Sequence, residues 1–242
     1  MLDSALFGLV SAGSLLIGFL IALRLKLPPK LLGLVMAFGV GALISSVAFE
    51  LIEDAFDYSN DLVAVITGAL TGSLIYFFAD SVVDRLGGAK RKSSDKSTDS
   101  SGTAILIGTI LDGIPESMVI GLSIAQGGAV SFAMIVAVFI SNIPEALSSS
   151  VGLIKSGWGR WKIFGLWTIV IAISVLASLA GFVIFGDTPP NVRAFIMAFA
   201  GGAILTMLSD SMIPEAYKNS GRLTGIVTVI GFCVAFAVSV FE

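Results

Sequence analysis

The chain has 242 residues, of which 56% are hydrophobic and 13% are charged, and its formal net charge is −3 at pH 7. Soluble domains carry about 25% charged residues, so a chain with a mean hydropathy of +0.99 is predicted to be a membrane protein rather than a soluble one. It has no histidine and one cysteine, which excludes a disulfide framework and a cage of thiolate metal ligands and removes the usual physiological-pH switch.

Eight apolar segments follow one another along the chain, each close to the roughly 20 residues that cross a bilayer as a helix. They cover residues 4–25, 32–53, 62–84, 103–125, 130–154, 162–185, 193–215 and 223–241. The segments are continuously apolar, whereas the strands of a membrane barrel alternate. The predicted fold is therefore an all-α polytopic membrane protein, in which residues 1–242 form a single transmembrane domain.

The basic residues predict how the helices are oriented. Thirteen of the fourteen follow an odd-numbered helix, and only Arg193 falls on the other side. Positively charged connections stay in the cytoplasm, so both termini are expected to be extracytoplasmic. Residues 85–102, rich in Gly, Ser, Lys and Asp, are predicted to form a flexible cytoplasmic loop. The expected location is the cell membrane, and the compact chain fits a prokaryotic inner membrane.

Two segments of the chain resemble each other. The segment that begins at Met36, "MAFGVGALISSVAFELIEDAF", shares seven identities without a gap with the segment that begins at Met197, "MAFAGGAILTMLSDSMIPEAY". The loop charges give these two helices opposite directions, so the repeat is predicted to be inverted. Inverted repeats are typical of secondary transporters, which bind their substrate near the membrane midplane. The pattern predicts three helices, a central inverted pair, and three more helices.

Ile-Pro-Glu occurs three times, in the fourth, fifth and seventh helices. Proline within a helix frees a backbone carbonyl, which needs a partner inside a membrane. Helical spacing also puts Asp112 on the same face as Glu116, and Ser141 on the same face as Glu145. Ionisable groups within a membrane span are costly and usually functional. Because no basic residue lies at their depth in the sequence, these carboxylates predict a bound cation.

The predicted ligands are oxygen atoms, which favour Mn²⁺, Mg²⁺ or Ca²⁺, although Zn²⁺ and Fe²⁺ also accept oxygen. Further polar residues occur in the second and seventh helices, and they are candidates for the ion pathway or a secondary site. They are Glu50, Asp210 and Ser211, together with Asn142 in the fifth helix.

The stretches "DGIPES", "SNIPEA" and "DSMIPE", with "AFELIEDA" in the second helix, resemble the ZIP (Zrt/Irt-like) family of divalent-metal transporters. The resemblance implies that Asp112, Glu116, Ser141 and Glu145 form the main transport site. It also implies that Gly113, Asn142 and Ser211 stand where family members hold a second ion. Two of these positions have lost a ligand and one has become neutral, so a single-ion site is expected. Every family histidine is replaced, which leaves zinc specificity open.

The function expected is secondary transport of a divalent cation such as Zn²⁺, Mn²⁺ or Fe²⁺ into the cytoplasm, by rocking of helices two, four, five and seven against the others. No enzyme activity, resident cofactor or nucleic-acid partner is expected. The expected partners are the cation and the lipid bilayer, with a homodimer left open. The alternatives are a non-transporting metal-sensing or scaffold paralogue, an ion channel, and an intramembrane aspartyl protease that uses Asp112 and Asp210.

Overall fold

The computed structural model describes residues 1–25, 27–85, 102–125, 132–185 and 188–241. In these ranges the regular structure is helical and contains no β-strand. The predicted flexible loop at residues 85–102 lies outside the described residues except at its two ends.

Eight helices in the described part of the chain are long and apolar enough to cross a membrane. They are α1 (Leu2–Arg24), α2 (Pro29–Ser59), α3 (Leu62–Val83), α4 (Gly102–Ala125), α5 (Phe132–Lys155), α6 (Arg160–Phe185), α7 (Pro190–Ser220) and α8 (Leu223–Val240). The prediction of an all-α protein with eight membrane spans is confirmed. The 3+2+3 inverted arrangement stays a prediction.

The two helices that resemble each other in sequence, α2 and α7, begin in the same way. Each starts at the second residue of a Pro-Pro pair, Pro29 or Pro190. A proline at the first helical position loses no hydrogen bond, because that N–H has no partner within the helix. The preceding prolines are extended, with ψ of 139° and 151°, as a residue before proline prefers.

Both α2 and α7 run for 31 residues and extend beyond their predicted ends at 53 and 215. Each contains a π-helical segment, Val47–Glu53 in α2 and Leu208–Met212 in α7. When Met36 is aligned with Met197, Val47 falls opposite Leu208, so the two segments begin at matching positions of the repeat. Pro214 lies two residues after the π-helical segment of α7, and the helix continues past it.

Glycines bring several pairs of helices into backbone contact. A Cβ atom on Gly41 of α2 would overlap the Thr228 carbonyl of α8, and one on Gly202 of α7 would overlap the Ala69 carbonyl of α3. The same holds for Gly121 of α4 against Ser178 of α6, and for Gly18 of α1 against Ile143 of α5. Small residues allow this close approach of membrane helices.

The packing between helices divides the bundle into two groups of four. The α1–α4–α5–α6 group shares an apolar cluster around Trp167 and Ile163, to which all four helices contribute. In the α2–α3–α7–α8 group, α7 packs along α3, α8 packs along α2, and α2 contacts α7. The groups meet mainly where α2 contacts α5 and where a second apolar cluster, which includes Val119 and Met207, joins them.

The close approach of α7 and α3 can be tested by adding one methyl group. We expect Gly202→Ala to destabilise the protein by about 1–3 kcal/mol, because the new Cβ overlaps a backbone carbonyl that cannot move alone. Gly13→Ala is the matched control: its Cβ meets nothing within 4 Å, and alanine in a helix is favoured over glycine by about 0.5–1 kcal/mol. Thermal unfolding followed by tryptophan fluorescence should show a lower unfolding temperature for Gly202→Ala and a higher one for Gly13→Ala. Equal stabilisation by both variants would contradict the close approach.

Candidate metal site

A small cavity lined mainly by buried residues lies among α1, α4, α5 and α6, within one of the two helix groups. Its volume is about 10 Å³, close to the minimum that holds a single water molecule. Three carboxyl side chains line it: Asp112 and Glu116 from α4, and Glu145 from α5. The sequence predicted all three as metal ligands, and the fold brings them to one cavity.

The three carboxyl groups are buried from solvent. Asp112 and Glu116 are each 3% exposed, and Glu145 is 4% exposed. Among the described residues that line the cavity, none is Lys or Arg. Negative charge at such depth is costly. The arrangement can therefore accommodate a positive ion, and its donor atoms are oxygen.

The carboxylates do not form a finished coordination shell in this conformation. In the described part of the chain, no three side chains of His, Cys, Asp or Glu are gathered closely enough to hold a metal ion. Hydroxyl and amide groups complete the polar part of the lining, from Thr109, Ser117, Asn142 and Ser174. Binding an ion would therefore require the carboxyl side chains to move toward each other.

Asn142 and Ser141 are neighbours in α5 but face different helices. Asn142 lines the cavity, and its Nδ2 donates to the Ser11 carbonyl of α1 at 3.3 Å. Ser141 lies against Gly39 of α2, where a Cβ on the glycine would be 2.9 Å from the serine Cα. Its Oγ donates to the Val138 carbonyl at 3.0 Å. Asn142, which the sequence proposed as a secondary residue, is thus nearer to the carboxylates' cavity than Ser141, which it proposed as a main ligand.

The pathway candidates Glu50, Asp210 and Ser211 lie on α2 and α7, in the other helix group. Glu50 and Ser211 occupy the two π-helical segments at matching positions, since they fall opposite each other when Met36 is aligned with Met197. Ser211 Oγ donates to the Met207 carbonyl at 2.8 Å, and Asp210 is exposed. None of the three lines the cavity in this conformation.

A residue that sequence reasoning missed reaches the site from the other helix group. The hydroxyl of Tyr76 on α3 donates a hydrogen bond to Oδ1 of Asp112. Tyr76 is 2% exposed, although α3 otherwise exposes most of its surface. The available signal was a single tyrosine in "GSLIYFFADS", but the sequence could not show which helix its hydroxyl meets.

The chain has recognisable relatives among known proteins. The family model described as "ZIP Zinc transporter" matches residues 88–241, which contain α4 to α8 and all three Ile-Pro-Glu motifs. The Arabidopsis thaliana protein named "Putative zinc transporter At3g08650" is 24% identical over 220 residues, which are 89% of this chain and 35% of that relative. The chain thus spans about a third of the relative's length.

The family match covers well over half of the chain and includes both helices that supply the buried carboxylates. The resemblance first noted in the Pro-Glu motifs is therefore confirmed, and this multi-pass membrane protein belongs to the ZIP family of zinc transporters.

Proposed function

We propose that this protein is a secondary transporter that moves a divalent metal cation into the cytoplasm through a site formed by Asp112, Glu116 and Glu145. The observation that carries the proposal is the burial of three carboxyl groups around one cavity whose described lining contains no basic residue. The family consists of metal transporters rather than enzymes, which supports transport over catalysis.

Electrostatics explains why the cavity suits a divalent cation. Transfer of an ion from water into a protein interior costs several kcal/mol even after relaxation. A doubly charged cation offsets that cost for two carboxylates at once, and it replaces lost hydration with direct oxygen ligands. A cavity of about 10 Å³ has space for one ion, which supports the expectation of a single-ion site.

The ligand types support a broad choice of metal. Carboxylate, hydroxyl and amide oxygens suit Mn²⁺ and similar hard cations, and Zn²⁺ and Fe²⁺ also bind oxygen. The Arabidopsis relative is named for zinc, but the imidazole ligands that favour zinc are absent from this chain, which has no histidine. We propose Zn²⁺, Mn²⁺ and Fe²⁺ as the substrates to be compared.

The division of the helices into two groups supports a mechanism of alternating access. The cavity is lined by α1, α4, α5 and α6 alone among the described residues, so the site belongs to one group and would move with it. This contrasts with the unit of helices two, four, five and seven expected from the sequence. We propose instead that the α1–α4–α5–α6 group shifts against the α2–α3–α7–α8 group, because α4 and α5 pack more extensively on α6 and α1 than on α2 and α7.

The orientation of the protein in the membrane is proposed from the distribution of its basic residues. Basic residues lie at one end of the bundle: Arg24 ends α1, Lys155 ends α5, Arg160 begins α6 and Lys218 lies near the end of α7. Positively charged ends stay cytoplasmic, so both termini face outward and uptake is directed toward this basic end.

Uptake by proteoliposomes tests the site. We expect Glu116→Gln and Glu145→Gln each to lower saturable uptake of Mn²⁺, Zn²⁺ or Fe²⁺ by at least about 10–100-fold, because each removes a negative ligand and leaves a neutral amide of the same shape. Glu53→Gln is the matched control, since Glu53 is exposed near the end of α2. Wild-type uptake by both cavity variants would contradict the site. Metal binding by the wild type without any uptake would instead favour a metal sensor.

Metal choice should depend on the residue at position 112. We expect Asp112→His to raise the ratio of Zn²⁺ to Mn²⁺ uptake by on the order of tenfold, because imidazole favours zinc over manganese. Competition between the two metals in the same vesicles measures this ratio. Asp57→His, at an exposed position of α2, provides the control for adding a histidine. An unchanged ratio in Asp112→His would show that Asp112 does not contact the transported ion.

A further inference from the structure

Tyr76 connects the two helix groups at the site of the buried carboxylates. It lies on α3, in the α2–α3–α7–α8 group, while its hydrogen-bond acceptor Asp112 lies on α4, in the other group. Both side chains are at most 3% exposed. We propose that this hydrogen bond is a latch between the groups, which holds the cavity closed until an ion or a movement of the groups breaks it. The inference rests on the proposed transport function.

The surroundings of Tyr76 make its hydrogen bond important. The ring belongs to an apolar cluster that also contains Val119 and Ile120 of α4 and Met207 and Leu208 of α7. A phenol hydroxyl in such surroundings needs a partner, because burial without a hydrogen bond is costly. A carboxylate is a stronger acceptor than a neutral group, and the low dielectric strengthens the attraction.

The position of Tyr76 on α3 distinguishes a latch from ordinary packing. The buried face of α3 toward α7 is built on small residues, Gly68 and Gly72, which contact the Phe195 and Phe199 carbonyls. One helical turn after Gly72, the next position on this face is occupied by Tyr76 and not by a small residue. Contact between α3 and α4 is limited compared with contact between α3 and α7, so the Tyr76–Asp112 bond joins two helices that otherwise meet over a short stretch.

A latch of this kind couples ion binding to movement. Asp112 is both a proposed metal ligand and the acceptor of the hydrogen bond from Tyr76. A cation that binds the Asp112 carboxylate therefore competes with the Tyr76 hydroxyl for that carboxylate. A ligand shifts a conformational equilibrium only by its differential affinity for the two states. Competition at Asp112 supplies that difference, because the hydroxyl is bound to Asp112 in the closed state and the cation can replace it in another.

The test measures how often the cavity opens in the absence of metal. Ser174 lines the cavity from α6 and is 4% exposed. In a Cys233→Ser background, Ser174→Cys becomes the chain's one thiol, and its reaction with an uncharged, water-soluble maleimide reports opening. We expect Tyr76→Phe to raise the reaction rate about tenfold. Tyr217→Phe, the same change at a residue 57% exposed on α7, should leave the rate unchanged.

A double-mutant cycle separates the latch from a general loosening. Asp112→Asn weakens the same hydrogen bond, so it should also raise the reaction rate, and the double variant Tyr76→Phe/Asp112→Asn should react no faster than the faster single variant. Rates that multiply in the double variant, or equal rates for Tyr76→Phe and Tyr217→Phe, would overturn the latch. If Tyr76→Phe does not fold, an unchanged rate in Asp112→Asn alone would overturn it, and a raised rate would support it.

The maleimide measurement does not depend on metal transport, so the latch and the transport function can fail separately. The maleimide reaction is carried out without metal, so a negative result counts against the latch alone. Absence of metal uptake by wild-type proteoliposomes counts against the proposed function, whatever the maleimide rates are.

Discussion

Three carboxyl groups lie buried together in a part of the chain that crosses the membrane, and the described lining of their cavity contains no ammonium or guanidinium group. Hydrocarbon cannot solvate such charges, and a protein interior does so only at a cost of several kcal/mol. The rest of the structure can be understood from this constraint. The carboxylates must be shielded from lipid on every side, and four helices are needed to surround them.

Close packing of small residues allows those four helices to form a closed wall. Gly18 brings α1 against the backbone of α5, and Gly121 brings α4 against the backbone of α6. Between membrane helices the driving force is contact between close surfaces rather than exclusion of water. A glycine has no side chain to contribute, but it lets the two backbones make that contact directly. The same device joins α2 to α8 and α3 to α7, and the result is two groups of helices that each have extensive internal contacts.

The sequence predicted some features well because they depend on local patterns. Eight spans follow from the length of the apolar runs, and the pairing of Asp112 with Glu116 follows from the helical period. The predicted spans in α2 and α7 end with the apolar runs at residues 53 and 215, whereas the helices continue through more polar residues to Ser59 and Ser220, because a helix does not have to stop where the sequence becomes polar. The face of α5 was not predictable either. Ser141 and Asn142 differ by about 100° around the helix, and only tertiary packing decides that Asn142 meets the cavity while Ser141 meets Gly39 of α2.

Tyr76 shows a different limit of sequence reasoning, since its contact with Asp112 joins residues 36 positions apart on two helices. Its place also explains how one carboxylate can respond to two events. Asp112 belongs to the group that surrounds the cavity, yet it accepts a hydrogen bond from the other group. A change in its charge environment on ion binding therefore alters the contact between the groups, and a movement of the groups alters the environment offered to the ion. A site built wholly within one group, with no polar contact to the other, would bind an ion without this direct means of influencing the movement that releases it.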